Sequence, residues 1–129
     1  LNSVTHKIGG EQRTITCVID GGGVALTTGL KAYLHVPYDC VITAWRILGD
    51  ISGSVVVDVW KDTYANYPPT VADTIAAAAK PTLSSATKNE NTTLTGWTTG
   101  ITAGDILGFN VDSATTVTKV FLTLSVRLN

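Results

Sequence analysis

Residues Val117 to Leu128 read VTKVFLTLSVRL, and their alternation decides the class of the fold. Val120, Leu122, Leu124, Val126 and Leu128 fall on one side, with Lys119, Phe121, Thr123, Ser125 and Arg127 on the other. A period of two marks a half-buried β-strand, because successive side chains of an extended backbone point to opposite faces. The same signature recurs upstream. Leu30, Ala32, Leu34 and Val36 oppose Lys31, Tyr33 and His35 until Pro37 stops the run. TITCVI (Thr14–Ile19), VITAWRIL (Val41–Leu48) and DILGFNV (Asp105–Val111) are further short runs rich in β-formers.

After a turn expected around Ser52-Gly53-Ser54, Val55–Trp60 sets Val55, Val57 and Val59 against Val56, Asp58 and Trp60. Thr93–Thr98, with Trp97, is expected to be another strand, and the polar stretch Thr82–Asn91 an exposed connection. About seven or eight short strands, with turns roughly every 8–12 residues, specify an all-β, antiparallel β-sandwich, with a jelly roll as the specific architecture. One short helix is expected near residues 71–79 (VADTIAAAA): alanine is the best helix former, and Asp73 lies near the start, where the dipole favours an anion. Residues 1–12, polar apart from a few apolar positions, read as an N-terminal arm or linker, and residues 13–129 as a single domain. A domain of this size buries roughly 65–70% of its unfolded surface, enough for one core.

Composition narrows the function classes. Thr, Val and Ile supply 44 of the 129 residues, while only 15% are charged, against the usual ~25%. The surface is therefore polar but weakly repulsive, which suits packing against neighbouring subunits. A net charge of −1, with nine scattered basic residues, argues against nucleic acid, whose phosphates call for a clustered positive field. No apolar run approaches the ~20 residues of a spanning helix, so membrane insertion is not expected. No basic region followed by an apolar core opens the chain, so no signal peptide is expected. The chain starts at Leu1, and processing, trimming or excision from a longer polypeptide is the expectation.

Catalytic and metal constellations are thin, and no catalytic residue, metal ligand or cofactor is assigned. His6 and His35 match no metal spacing and read as solvent-facing. Gly21-Gly22-Gly23 lacks the Lys-Ser/Thr of a phosphate loop and reads as a plain turn. Cys17 and Cys40 read as buried, reduced thiols, with pairing as the alternative. Asp58 and Asp62 are the one candidate carboxylate pair for glycan cleavage. Four residues apart across a strand end, they do not reliably face one cavity, and the preferred reading has Asp58 bonded to a neighbour and Asp62 capping the loop. Asn91-Thr92-Thr93 is a formal glycosylation sequon, to which the absence of a secretory signal gives little meaning.

The stretch Gly53–Pro81, GSVVVDVWKDTYANYPPTVADTIAAAAKP, carries the better lead. It joins a buried-looking strand to a long turn bearing Tyr64, Tyr67 and the Pro68-Pro69 pair. Aromatic side chains on a rigid loop serve contact, since they stack on sugar rings or anchor interfaces. Trp60, Tyr64, Tyr67 and Trp97 are the candidate ligand or partner contacts. For the tryptophans, Trp45 included, core or sheet packing is the preferred reading.

The run from Asp58 through Pro69 to Asp73, TLTGW (Thr93–Trp97) and AGDILGFNVDS (Ala103–Ser113) carry a family resemblance. From about Thr28 to Leu128 the chain resembles a module of tailed-bacteriophage and prophage virion structural proteins. That module occurs in capsid-decoration proteins and near the C-terminal ends of tail or fibre proteins. The AGD ending is also similar, more distantly, to trimeric jelly rolls of the tumour-necrosis-factor type.

The resemblance implies a non-enzymatic structural protein on the virion surface, assembled in the bacterial host cytoplasm. It would serve particle assembly, decoration or host-surface attachment. The implied partners are further copies of the chain, a trimer being favoured, other virion proteins and a host cell-surface glycan. The first dozen residues, outside the match, would be a virion anchor or the end of a preceding shaft. A carbohydrate-binding module using the aromatic side chains is the alternative, and a glycan-cleaving enzyme using Asp58 and Asp62 ranks last.

Overall fold

The computed structural model describes residues 10–129. His6 and most of the expected N-terminal arm lie outside them. Seven strands follow in order: β1 (Gln12–Asp20), β2 (Gly29–His35), β3 (Cys40–Asp62), β4 (Thr82–Asn91), β5 (Gly100–Ile101), β6 (Ile106–Thr115) and β7 (Lys119–Leu128). All pairings are antiparallel. Gly10 and Glu11 already share backbone hydrogen bonds with Leu128, next to the start of β1.

β3 organises the sandwich. Its first half, Cys40–Gly49, pairs with β7, which pairs with β1, and its other edge meets β5 and the end of β4, residues 88–91. Its second half, Ser54–Asp62, pairs with β6, which pairs with β2, and its other edge meets the start of β4. The two layers therefore run β1-β7-β3-β5 and β2-β6-β3-β4. Eight strand segments in two four-stranded sheets give jelly-roll connectivity.

The turn expected at Ser52-Gly53-Ser54 is absent, because the chain stays extended there and passes from one sheet into the other. Two glycines make room for the passage. A Cβ on Gly53 would lie 2.5 Å from Val117 Cγ2 and 2.7 Å from Thr115 O. One on Gly49 would lie 3.0 Å from Leu83 Cδ1. The β6–β7 connection thus crosses β3 where Gly49 and Gly53 put no side chain in its way.

The core fills the space between the sheets as the alternation expects. Val55, Val57 and Val59, Leu107, Phe109 and Val111, and Val120, Leu122, Leu124 and Val126 are all buried. Cys17 and Cys40 are free and buried in it, and burial pushes Cys17 up to about 11. They lie opposite Leu122 and Leu128 of β7, roughly 20 Å apart along the strand, far beyond disulfide reach.

Four local expectations give way. The helix near residues 71–79 contracts to a 3-10 turn at Val71–Asp73. Beyond it the chain lies along the β3 edge: Thr74 bridges Trp60, Ile75 N–H donates to Val59 O, and Ala77 has φ 51°. Thr82–Asn91 is strand β4, legible only as an exposed connection because it turns little but Leu83 inward. Thr93–Thr98 is a turn instead of a strand, since Asn91 Oδ1 accepts from the backbone N–H groups of Thr93 and Leu94. In β2 a bulge between Leu30 and Ala32 breaks the alternation and turns Leu30 to the outer face, beside Tyr33 and Pro69.

Candidate functional site

The outer face of the β2-β6-β3-β4 sheet is roofed by the chain between β3 and β4. Its anchor is Asp58, 1% exposed, on the side of β3 opposite Val57 and Val59. Asp58 accepts from Trp60 Nε1 at 3.0 Å and from Thr74 Oγ1 at 2.6 Å, and Lys80 Nζ approaches to 3.6 Å. Lys80 also reaches Asp112 at 2.6 Å, which in turn accepts from Asn110 Nδ2 at 2.7 Å. The hydrogen bond to Asp112, reinforced by the charge of Asp58, raises the pKa of Lys80. A buried carboxylate is tolerable only when satisfied in this way, and here it ties Thr74 and Lys80 of the roof to β3.

Ahead of Thr74 the loop is held by its own short side chains. Asp62 Oδ1 accepts from Thr63 N–H at 2.8 Å and from Asn66 Nδ2 at 3.3 Å. Tyr67 N–H donates to Tyr64 O, and Thr70 N–H to Asp73 Oδ2 at 2.8 Å. Pro69 is buried against Gly108, whose absent Cβ would lie 3.4 Å from Pro69 Cγ and 3.5 Å from Tyr33 Cδ1. Glycine at that point lets the proline and tyrosine rings settle onto the sheet.

The result is an aromatic cleft. Tyr67 meets Tyr33 edge to face, with ring centroids 4.9 Å apart at 69°. Tyr33, His35, Tyr64, Tyr67 and Ile106 line a cavity of about 450 Å³. Tyr64 is 74% exposed and Tyr67 49%.

Of the four aromatic candidates, Tyr64 and Tyr67 come together here. Trp60 is half-buried below the loop, with its indole N–H committed to Asp58. Trp97 is 9% exposed and donates Nε1–H to Ala79 O at 2.9 Å, so it underpins the roof and presents little surface. Tyr33, His35 and Ile106 are new to the site. The pairing brings them in: Tyr33, Gly108 and Trp60 form one row across β2, β6 and β3, and His35, Ile106 and Asp62 the next. The alternation of β2 had placed Tyr33 and His35 on one face, but nothing local shows that β2 lies one strand away from β3. Neither Asp58 nor Asp62 lines the cleft. Among the described residues, no three His, Cys, Asp or Glu side chains gather as a metal site would need, and no helix is long and apolar enough to cross a membrane.

Among the described residues, none roofs the outer face of the other sheet. Val18, Phe121 and Leu48 lie side by side across β1, β7 and β3, exposed by 53%, 36% and 50%. Thr16 and Thr123 follow in the next row. Of the charges around this row, Arg46 pairs with Glu90 at 2.7 Å and Lys119 with Asp20 at 3.6 Å, while Lys88 of β4 stands opposite Leu48.

Among solved structures, a chain from the capsid of Ralstonia phage GP4 matches 95% of this chain over 88% of its own length, with a TM-score of 0.54 and 9% identity. The chain is similar in fold to a phage capsid protein. At that identity the likeness is one of fold alone. A chain of the cyanophage Pam1 capsid asymmetric unit matches with a TM-score of 0.35, 9% identity and coverages of 96% and 89%. The Drosophila NLP-core matches at 0.37, 9% identity and coverages of 92% and 98%. No protein-family model and no curated protein matches the sequence.

Proposed function

We propose that the protein is a non-enzymatic structural component of a tailed-phage particle, a jelly-roll module on the virion surface that serves assembly, decoration or host attachment. The observation that carries this reading is the fold shared with the Ralstonia phage GP4 capsid chain over nearly the full length of both. A match of that extent involves the whole domain, so the likeness is between modules of similar size.

The unroofed sheet is the assembly face in this reading, and its occupant is a second copy of the chain. Its apolar row is flanked by threonines and by two internal ion pairs, Arg46–Glu90 and Lys119–Asp20, which limits the charge a second copy meets. The trimer implied by the sequence resemblance is the stoichiometry to test. The tyrosine cleft, on the opposite sheet, stays free for a further contact, with other virion proteins or with a host glycan. It also favours the second reading, a carbohydrate-binding module, which is compatible with the first.

Mass spectrometry and imaging of purified particles encoded alongside this chain test the proposal. The chain is expected in the particles, with density for a jelly roll on their exterior. Its absence from intact particles would overturn the virion role. A strict monomer both in solution and on the particle would overturn the oligomer.

A further inference from the structure

The cleft of Tyr33, His35, Tyr64, Tyr67 and Ile106 has the size, rigidity and charge of a small-ligand site. Its volume, about 450 Å³, lies within the ~300–1,000 Å³ of ligand pockets. A lasting protein interface takes roughly 20–30 residues a side, and five lining residues fall well short of that. Rigidity comes from the Asp62 and Asp73 hydrogen bonds, from Pro69 on Gly108 and from the edge-on contact of Tyr33 with Tyr67. Exposed aromatic rings held in this way bind without a large ordering cost.

Charge selects the ligand class. Among the described residues, no Lys, Arg, Asp or Glu lines the cleft. The cations of the neighbouring strands are directed elsewhere: Lys31 donates to Thr27 Oγ1, and Lys61 to Gly100 O, with Asp105 at 4.0 Å. A phosphate, sulfate or carboxylate ligand would find no counter-charge. Phenol hydroxyls and an imidazole, which both donate and accept, suit uncharged hydroxyl groups, and tyrosine faces suit the apolar C–H faces of a pyranose ring.

From this we infer that the cleft binds a neutral saccharide, with Tyr67, braced by Tyr33, and Tyr64 stacking on the sugar, and His35 taking a sugar hydroxyl. The inference rests on reading the β3–β4 loop as a contact surface and not on where in a particle the chain resides. An assay on the isolated protein therefore separates its failure from failure of the virion reading.

The experiment is an array of neutral and acidic oligosaccharides, followed by NMR titration of the protein with the neutral members that bind. Neutral members are expected to bind, with shifts confined to Tyr33, His35, Tyr64, Tyr67 and their neighbours. Tyr67→Ala and Tyr33→Ala should each weaken binding roughly tenfold or more, and Tyr67→Phe, which keeps the ring, clearly less. Tyr64→Ala, at the most exposed position, should weaken binding while leaving the thermal midpoint unchanged, which separates loss of contact from loss of fold. Silence across all neutral members, preference for acidic ones, or full binding by Tyr33→Ala and Tyr67→Ala would each overturn the inference.

Discussion

On the sheet of β2, β6, β3 and β4 the outer face is roofed by the chain between β3 and β4, whereas on the sheet of β1, β7, β3 and β5 it is open. Both faces carry apolar and polar side chains, yet they finish them differently. The roofed face sinks a carboxylate, Asp58, and uses it to hold a loop that displays tyrosines. The open face leaves Val18, Phe121 and Leu48 in a row, between the Arg46–Glu90 and Lys119–Asp20 pairs. A rigid display on one side and an apolar row on the other are what a module needs if it contacts a ligand outward and a neighbour behind.

Breaking the roof should have the largest effect. Asp58→Ala leaves Trp60 Nε1 and Thr74 Oγ1 without their acceptor and Lys80 with one carboxylate fewer, at a cost of about 3 kcal/mol. Urea unfolding measures that cost, and limited proteolysis should now cut within residues 63–80. A variant of wild-type stability would mean that the roof is held by packing alone.

Next comes the corner shared by both faces. Gly53→Ala drives a methyl group into Val117 and the Thr115 carbonyl, and is expected to cost about 2 kcal/mol by the same measurement.

The faces should also part company with pH. Lys80, under the roof, has a raised pKa, so its contribution is complete below the ordinary lysine range and fades as pH rises through the raised value. Asp50, at the edge of the open sheet, accepts from Thr118 Oγ1 and from the backbone of Thr118 and Lys119, and the Thr118 hydroxyl bond leads in lowering its pKa. Its contribution is complete above the ordinary carboxylate range and is lost as pH falls through the lowered value. Lys80→Met should therefore flatten the alkaline limb of the stability profile, and Asp50→Asn the acid limb. Each variant should leave the opposite limb in place.

The smallest effect on the fold itself belongs to the open face. Phe121→Lys should change monomer stability by less than about 0.5 kcal/mol. In native mass spectrometry it should nonetheless shift the protein from oligomer to monomer. Retained assembly would move the contact away from this face.

Much of the fold was legible because its signals are local. The runs around Val120–Leu128, Val55–Trp60 and Asp105–Val111 each show a period of two, and the residues they turn inward are the core. Illegible stretches were those where a distant partner overrides a local preference. The alanines after Asp73 favour helix, but the β3 edge offers Thr74 and Ile75 a strand partner. Thr82–Asn91 has little to bury, so a paired edge strand looks like a loop. Leu30 alternates correctly on paper, and a single bulge turns it outward.

The site divides along the same line. Read alone, the chain specifies strands, most of the residues they bury, and a proline-locked loop that carries Tyr64 and Tyr67. Those properties follow from the steric period of the backbone and from residue chemistry within a few positions. Folding adds the corner of β3 at Gly53, the hold of Asp58 on the roof, and the place of Tyr33 and His35 beside the loop. Strand order and register come from pairing between residues far apart in the chain, which no local period encodes. The rigid aromatic loop is therefore written in the sequence, and the cleft it closes exists only once β2 has been placed next to β6.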